Sequence, residues 1–417
     1  MRQDTRVLRL IRTWQQGRLS RRELIRRLTL MGLSLPAIAA LLAACARQAE
    51  TPTAVPGGIT PAAGETPAAG ETPAAGETPA AGGIPDYIDR SKLDKELNFY
   101  NWSEYHDPEV ITEFEQTYGV KVTQDTYASN EDLLAKLQGG ATGYDVIVPS
   151  DYMVSIMINL GMLEPLDYDV IRTIEHIDPN NLKPYYDPEN TYSVPYMWGT
   201  SGYSYDTAVL GEDLESWKEV FEPRPEAQGK IVMLDDQREV IGAALMYLGY
   251  SINETSDEAL AKVKELLLAQ KPYVLAYSSQ NNDDLLVAGE AVISHIWTGD
   301  ALLAEQEREG LRYVIPMEGC TVWQDNLCVP ASAPHKYTAM AFIDFMNRPD
   351  IAARNANFIW YGCPNKTARE QGLIDEAMLN HPGVYPPDEV WQRLQWIEDV
   401  GEDTLKYDRL WTEIKTA

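Results

Sequence analysis

Residues 98–105 read Asn-Phe-Tyr-Asn-Trp-Ser-Glu-Tyr, and the predicted fold of the chain depends on this stretch. Its first four residues read as the end of a buried strand, and residues 108–118 have the pattern of a following helix. Residues 102–105 are therefore predicted to lie at the carboxyl end of a strand, where open α/β sheets bind ligands. A carboxylate between aromatic rings at that place suits an organic cation. Packing of strand-end aromatic residues beside a solvated glutamate is the other interpretation.

Outward from that stretch, short apolar runs alternate with longer amphipathic patterns. Runs at residues 97–100, 120–123 and 145–148 are each followed by a predicted helix. This alternation predicts an α/β fold with parallel strands. Ser150 and Tyr152 follow the third run and are predicted to lie in its loop.

A second α/β unit is predicted from residues 230–234 and 291–296, which read as buried strands. The second of these ends at Trp297, with Gly299 and Asp300 expected in its loop. The extended segments 193–199 and 321–330 are predicted to cross from the first unit to the second and back.

The helix after residue 234 begins with two acidic residues, Asp236 and Glu239, three positions apart. This spacing is typical of a capping box, in which the first residue caps the helix and the second reaches back. Ligand binding is the alternative, and both functions use the carboxyl end of a strand. The sequence leaves the two open.

Residues 1–44 are predicted to be a signal peptide, because nine arginines and two acidic residues precede a short apolar run. Ser20-Arg21-Arg22 resembles a twin-arginine motif, although further arginine pairs leave the Sec route open. Leu42-Ala43-Ala44-Cys45 resembles a bacterial lipobox, in which Cys45 is lipidated. We therefore expect an exported protein, anchored by lipid on the outer face of the cytoplasmic membrane.

Residues 45–84 are predicted to be the lipidated cysteine and a disordered linker. A six-residue repeat, Thr-Pro-Ala-Ala-Gly-Glu, runs from Thr60 to Gly82. Because it has no bulky apolar residue, the repeat cannot bury a core. It is expected to serve as a tether.

The charge of the chain excludes nucleic acid as the expected partner. The total is −28, and residues 1–44 carry +7, so the rest carries −35. Such a balance favours cationic ligands or solubility outside the cell. Tyrosine and tryptophan together number 33 against six phenylalanines, which indicates rings used at binding surfaces as well as in cores.

Neither a metal site, a cofactor nor an enzyme is predicted. The cysteines beyond Cys45 show no metal-ligand spacing, and the sequence leaves open whether any of them pair. The chain has no G-x-S-x-G or H-E-x-x-H motif and only five histidines. Asp236 and Glu239 lie too close in sequence to flank a scissile bond.

Predicted strand-end loops thus bring together aromatic and acidic side chains with very few basic ones. This set is Trp102, Tyr105, Tyr152, Trp297, Trp323 and Tyr361 with Glu104, Asp236, Glu239 and Asp325. It suits a flexible polycation, whose methylenes stack on rings and whose ammonium groups meet carboxylates.

Five motifs, in order, resemble the spermidine/putrescine-binding proteins of bacterial polyamine ABC importers. They are residues 99–105 (FYNWSEY), 145–152 (DVIVPSDY), 192–199 (YSVPYMWG), 235–240 (DDQREV) and 323–325 (WQD). The resemblance runs from about residue 97 to the end and implies a two-lobed, type II periplasmic-binding-protein fold with a ligand cleft between the lobes and two crossovers. Residues 85–198 would begin lobe 1, residues 199–322 would form lobe 2, and residues 323–417 would return to lobe 1, with helices packing across both.

By resemblance, one wall of the cleft is expected to comprise Trp102, Ser103, Glu104, Tyr105, Ser150 and Tyr152. The other residues expected in the cleft are Asp236, Glu239, Trp297, Trp323, Asp325 and Tyr361. Glu104 would bind one terminal amine, and Asp236, Glu239 and Asp325 the remaining amines.

Two positions depart from the family's pattern. Ser103 replaces the usual threonine, and Ile397 stands where the family often has a glutamine, so that Gln395 or Glu398 would have to supply the missing polar contact. The resemblance implies a monomeric polyamine-binding protein that delivers its ligand to a membrane permease. Another cationic solute, or a sensor of polyamines, are the alternatives. Acidic residues in the cleft disfavour ferric-ion or anionic ligands.

Overall fold

Two long strands at the centre of one continuous sheet organise the fold. This computed structural model describes residues 83–211 and 213–417, and within them the sheet has ten strands. Their bounds are β1 Glu96–Trp102, β2 Lys121–Tyr127, β3 Val146–Ile147, β4 Ser193–Asp206, β5 Ile231–Met233, β6 Val274–Tyr277, β7 Ile293–Trp297, β8 Leu311–Val314, β9 Thr321–Cys328 and β10 Gln395–Trp396. The predicted signal peptide, the lipidation of Cys45 and the repeat linker as far as residue 82 lie outside the described residues.

The strand order is β2-β1-β3-β9-β4-β7-β5-β6, with β10 beside β9 and β8 beside β4. On one side β1 pairs in parallel with β2 and β3, and on the other β5 pairs in parallel with β6 and β7. We call these the first and second halves of the sheet. The central strands β4 and β9 pair antiparallel with each other and with their neighbours β7 and β3. The sheet is therefore mixed rather than parallel throughout, because one crossing strand leads out of the first half and the other returns.

The two crossing strands are buried along their whole length, 14 residues in β4 and eight in β9. Both coincide with the segments predicted to be crossovers. The predicted lobe boundaries at residues 198/199 and 322/323 fall inside these strands and remain predictions.

Helices cover the sheet between the strands. Their bounds are α1 Pro108–Tyr118, α2 Asn130–Gln138, α3 Asp151–Asn159, α4 Thr207–Leu210, α5 Lys218–Phe221, α6 Gln237–Tyr247, α7 Asp257–Gln270, α8 Asn282–Ala288, α9 Thr298–Glu307, α10 Lys336–Met346, α11 Pro349–Ile359, α12 Lys366–Glu370, α13 Glu376–Leu379, α14 Asp388–Trp391 and α15 Thr404–Thr416. The last helix, α15, packs against α6 and α7. No helix among the described residues has the length and apolar character that a membrane span requires.

The helix behind residues 102–105 begins and ends as its sequence predicts. Asp107 caps α1 by accepting a hydrogen bond from the backbone nitrogen of Glu109, and Pro108 occupies the first turn. Gly119 ends it in the left-handed conformation, at φ 68°. These signals confine the connection between β1 and α1 to a few residues and so fix the position of the turn that holds Glu104.

Candidate functional site

The first candidate segment turns sharply where β1 ends. Trp102 is the last residue of β1, and its indole nitrogen donates to the carbonyl oxygen of Val148 at 2.8 Å. Glu104 has a positive φ of 54°, which an L residue adopts only in such a turn. Ser103 and Glu104 are exposed, whereas Tyr105 is buried. The segment thus presents an anchored indole beside an exposed carboxylate.

Asp325, on β9, is a buried carboxylate at the centre of the site. It accepts hydrogen bonds from the hydroxyls of Tyr105, at 2.7 Å, and Ser150, at 2.6 Å. Burial raises the pKa of Asp325 to about 7, although the two hydrogen bonds lower it. An ammonium group placed beside this carboxylate would favour its charged form.

Ser150 and Tyr152 are at the start of a helix rather than in a loop, which corrects the prediction for this segment. Ser150 precedes α3 as its N-cap residue, and Tyr152 stands in the first turn. The Ser150 hydroxyl also accepts a hydrogen bond from the side-chain nitrogen of Asn130, and the Ser150 backbone nitrogen donates to the side-chain oxygen Oδ1 of Asn130. The strand β3 is only two residues long, so the helix begins sooner than the apolar run suggested.

The sequence left open whether Asp236 and Glu239 form a capping box, and their hydrogen bonds show that the two residues differ. Asp236 caps α6, because its carboxylate accepts from the backbone nitrogens of Arg238 and Glu239 at 3.0 and 3.1 Å. The Glu239 carboxylate accepts instead from the hydroxyl of Ser201 at 2.7 Å and from the indole of Trp297 at 3.4 Å. Glu239 therefore faces the crossing strands and not the helix start.

Both acidic residues have raised pKa values. Burial is the main cause for each, and the nearby Asp236 carboxylate raises the pKa of Glu239 further. The second carboxylate oxygen of Glu239 is buried and has no hydrogen-bond partner among the described residues. A buried carboxylate oxygen without a donor is costly, and an ammonium group supplies such a donor.

Aromatic rings form a continuous wall beside these carboxylates. Tyr361 contacts Tyr105 and Trp323, with ring centroids 5.5 and 5.2 Å apart. The indole nitrogen of Trp323 donates to Ser201 at 3.1 Å, so the same serine links this ring to Glu239.

Two glycines make room for the aromatic wall. A Cβ atom on Gly199 would lie 2.7 Å from the Trp323 ring, and one on Gly299 would lie 2.6 Å from the Tyr361 ring. Either approach is closer than a side chain tolerates.

Gly299 and Asp300 are in α9 and not in a loop as predicted, because α9 starts immediately after β7.

Residues of the two halves of the sheet contact each other beside the site. Trp102 belongs to the first half, and its ring lies 6.2 Å from that of Trp297 in the second half. Arg238, in α6, likewise lies over the ring of Tyr152, at 5.5 Å. Residues of both halves therefore meet around the carboxylates.

Sequence reasoning missed two acidic residues in this region, Glu131 and Asp151. The hydroxyl of Tyr152 donates to Glu131 at 3.0 Å, and burial and Asp236 raise the pKa of Glu131. Burial likewise raises the pKa of Asp151, which is fully buried beneath the site. Glu131 follows β2, so the rule that selected the other strand-end residues would have found it.

Ile397 packs into an apolar cluster that also contains Tyr152 and Tyr127, and it is 4% exposed. Of the two residues expected to supply the missing polar contact, Gln395 has its side-chain oxygen engaged elsewhere. Gln395 accepts from the backbone nitrogen of Ile252 at 3.1 Å. Glu398 is exposed, and its backbone carbonyl oxygen accepts from the guanidinium group of Arg238. The departure from the family's pattern thus places a buried apolar side chain in the same cluster as Tyr152.

The face of the crossing strands opposite Trp323 and Asp325 borders a separate cavity of about 540 Å³. Side chains alternate along a strand, so Gln324 and Trp198 contribute to this cavity instead. The predicted site residues do not line this cavity.

Cys320, Cys328 and Cys363 are buried free thiols, and no metal-binding cluster of acidic, histidine or cysteine side chains occurs in the described part of the chain.

Comparison with known proteins places the chain among transport proteins. Residues 109–382 match the family described as bacterial extracellular solute-binding protein. The spermidine/putrescine-binding periplasmic protein of Salmonella typhimurium is 35% identical over 77% of this chain and 92% of its own. A putrescine-binding periplasmic protein of Escherichia coli is 32% identical over 78% of this chain and 92% of its own.

Solved structures agree. A putative spermidine/putrescine ABC transporter protein from Listeria monocytogenes superposes with a TM-score of 0.74, at 33% identity over 77% of this chain and 99% of its own. The substrate-binding protein of a spermidine/putrescine transporter from Streptococcus pneumoniae superposes with a TM-score of 0.66, at 34% identity over 78% of this chain and 99% of its own. The predicted two-lobed α/β fold and the resemblance to these proteins are thereby confirmed. The chain belongs to the family of bacterial extracellular solute-binding proteins.

Proposed function

We propose that this chain is the solute-binding component of a polyamine ABC importer. It captures spermidine or putrescine between its two lobes and delivers the ligand to a membrane permease. The observation that carries the proposal is the set of buried carboxylates, Asp325, Glu239 and Asp236, whose pKa values are all raised beside an aromatic wall. The names of the relatives support the choice of polyamine.

The chemistry of the site fits a protonated polyamine better than a neutral or anionic solute. Ammonium groups donate up to three hydrogen bonds each, and Glu239 and Asp325 are buried acceptors. The methylene segments would lie on the rings of Trp323 and Tyr361. Each such contact is worth about 1–2 kcal/mol, so several together support micromolar or tighter binding.

Closure of the two lobes is the mechanism of capture. Contacts from both sides, such as those of Trp102 and Trp297, form only when the lobes approach each other. A polyamine that touches both sides therefore favours the closed state. The closed, liganded protein is the form that docks on the permease.

Several further features belong to the same proposal. The chain acts as a monomer and catalyses no reaction, in keeping with relatives named as binding proteins. It is exported and held on the outer face of the cytoplasmic membrane by lipid on Cys45. Residues 45–84 tether residues 85–417 to that lipid.

A different cationic solute on the same fold is the second candidate, and Ile397 favours it. Where the family often has a glutamine, this chain places a buried apolar side chain next to Tyr152. Replacing an amide by an apolar surface removes one polar contact and alters which chain lengths fit.

Calorimetric titration of the ligand-free protein tests the assignment. Putrescine, spermidine and spermine are the ligands, and thiamine and lysine are the controls. We expect one-to-one binding of at least one polyamine, which is lost in Asp325→Asn and retained in Asp132→Asn, a change at an exposed residue of α2. Heat traces without binding for all three polyamines, on folded protein, would refute the polyamine assignment.

A further inference from the structure

Glu131 stands at the carboxyl end of β2, in the first turn of α2. It occupies the same kind of position as Glu104, Tyr152 and Asp236, which follow β1, β3 and β5. The hydroxyl of Tyr152 donates to Glu131. Arg238 lies over the Tyr152 ring, and its backbone nitrogen donates to Asp236, so these three strand-end side chains occupy one region.

The start of α2 is fixed to the centre of the site. Ser129 caps the helix by accepting from the backbone nitrogen of Asp132. Asn130 exchanges two hydrogen bonds with Ser150, and Ser150 donates to Asp325. These hydrogen bonds connect the start of α2, and with it Glu131, to Asp325 at the centre of the site.

The Glu131 carboxylate contacts Tyr152, and Arg238 of α6 lies over the ring of that tyrosine, at 5.5 Å. The carboxylate accepts from the hydroxyl of Tyr152, and burial and the Asp236 carboxylate both raise its pKa. Arg238 is the nearby positive group, but its two terminal nitrogens donate to the Glu398 carbonyl oxygen and to Asn253. The region thus holds two acidic groups and one cation whose terminal nitrogens are engaged by neutral acceptors.

We propose that Glu131 is a further ligand-binding residue, which together with Asp236 binds the ammonium group at one end of the polyamine. This inference rests on the proposed function. Two carboxylates from opposite halves repel each other when buried, and a cation between them converts the repulsion into attraction. A ligand long enough to place an ammonium group there therefore favours the approach of the two halves at this end.

Selectivity among polyamines follows from the position of Glu131. A diamine held at Asp325 reaches less far than a triamine or tetramine. Glu131 consequently contributes more to binding of the longer ligands, and its removal changes the ratio of affinities as well as their values.

The test compares Glu131→Gln with Asp132→Asn on the full chain. Both changes remove one negative charge from the first turn of α2, but Asp132 is exposed and Glu131 contacts Tyr152. Putrescine, spermidine and spermine are titrated into each ligand-free protein. Loss of a hydrogen bond to a charged group weakens binding by about tenfold to a hundredfold, so Glu131→Gln should show that loss for the longest ligand that wild type binds.

The other outcomes are distinguishable. Wild-type protein that binds no polyamine refutes the proposed function itself. If wild type binds polyamines and Glu131→Gln binds each of them within about threefold of the wild-type affinity, the role of Glu131 is overturned while the proposed function stands. An equal loss of affinity in Asp132→Asn has the same meaning. A uniform loss for all three ligands overturns the selectivity argument. If Glu131→Gln does not fold, Glu131→Asp gives the same readout, because shortening the side chain by one methylene withdraws the carboxylate from the ligand.

Discussion

Replacing Asp325 by asparagine should stabilise the ligand-free protein while it abolishes binding. Asp325 is 5% exposed, and its pKa is about 7 instead of 3.8. This difference corresponds to a cost of about 4 kcal/mol in the free energy of unfolding when the carboxylate is charged. Asparagine carries no charge and can keep one of the hydrogen bonds from Tyr105 and Ser150.

The cost depends on pH in a direction that the raised pKa fixes. Between the unfolded and folded pKa values, the folded state binds more protons than the unfolded state, so the stability of wild type falls as pH rises. The variant lacks this group. Its advantage over wild type should therefore grow by about 3 kcal/mol from about pH 5 to about pH 8.

Urea unfolding of both ligand-free proteins at several pH values measures this difference. Each protein is first unfolded and dialysed, because bound polyamine would stabilise wild type selectively. Asp132→Asn serves as the control for loss of an exposed charge. If the difference in free energy of unfolding between Asp325→Asn and wild type stays constant across the pH range, the argument that ionisation of Asp325 destabilises the folded protein is refuted.

Three further results are expected. Gly199→Ala should weaken polyamine binding by about tenfold or more, because the added Cβ displaces the ring of Trp323. Calorimetry measures the loss. An unchanged affinity would contradict the close approach of the Trp323 ring to residue 199. Polyamine affinity should rise with pH up to about 8, because the ligand favours the charged forms of Asp325 and Glu239, whose pKa values are raised. Titrations in buffers of different ionisation enthalpy should show that protons are released on binding. An affinity that does not change with pH would exclude this coupling. Ile397→Gln should change the ratio of spermidine to putrescine affinity, and an unaltered ratio would separate this position from selectivity.

Much of the fold was predictable because its local signals agree with one another. Asp107, Pro108 and Gly119 set the bounds of α1, and the helix has the bounds that the sequence predicts. The buried crossing strands coincide with apolar, β-rich segments for the same reason. Antiparallel pairing of β4 and β9 was not predicted, since strand direction depends on which distant segments become neighbours.

The errors lie at strand–helix junctions. Tyr152 was predicted to be in a loop, but β3 ends after Ile147 and α3 begins at Asp151. An apolar run fits a strand end and a helix start equally well. Tertiary pairing decides between them, and here Ser150 pairs with Asp325 from β9.

The site was predictable in composition but not in its hydrogen bonds. Asp236 and Glu239 have the spacing of a capping box, yet only Asp236 caps the helix. Glu239 bonds to Ser201 on β4, a residue 38 positions away in sequence. Such a contact depends on the packing of α6 against the crossing strands, which no local pattern reports.

The same burial that raises the pKa values accounts for selection of cations. Desolvation disfavours every charged form, so Asp325, Glu239 and Glu131 have raised pKa values in the ligand-free protein. A neutral or anionic solute leaves this cost in place, whereas each ammonium group of a polyamine offsets it. Since the carboxylates come from both halves of the sheet, the offset is largest when the halves are together. Under the proposed function, cation selection, proton release and closure are therefore three expected consequences of placing acidic residues at buried strand ends.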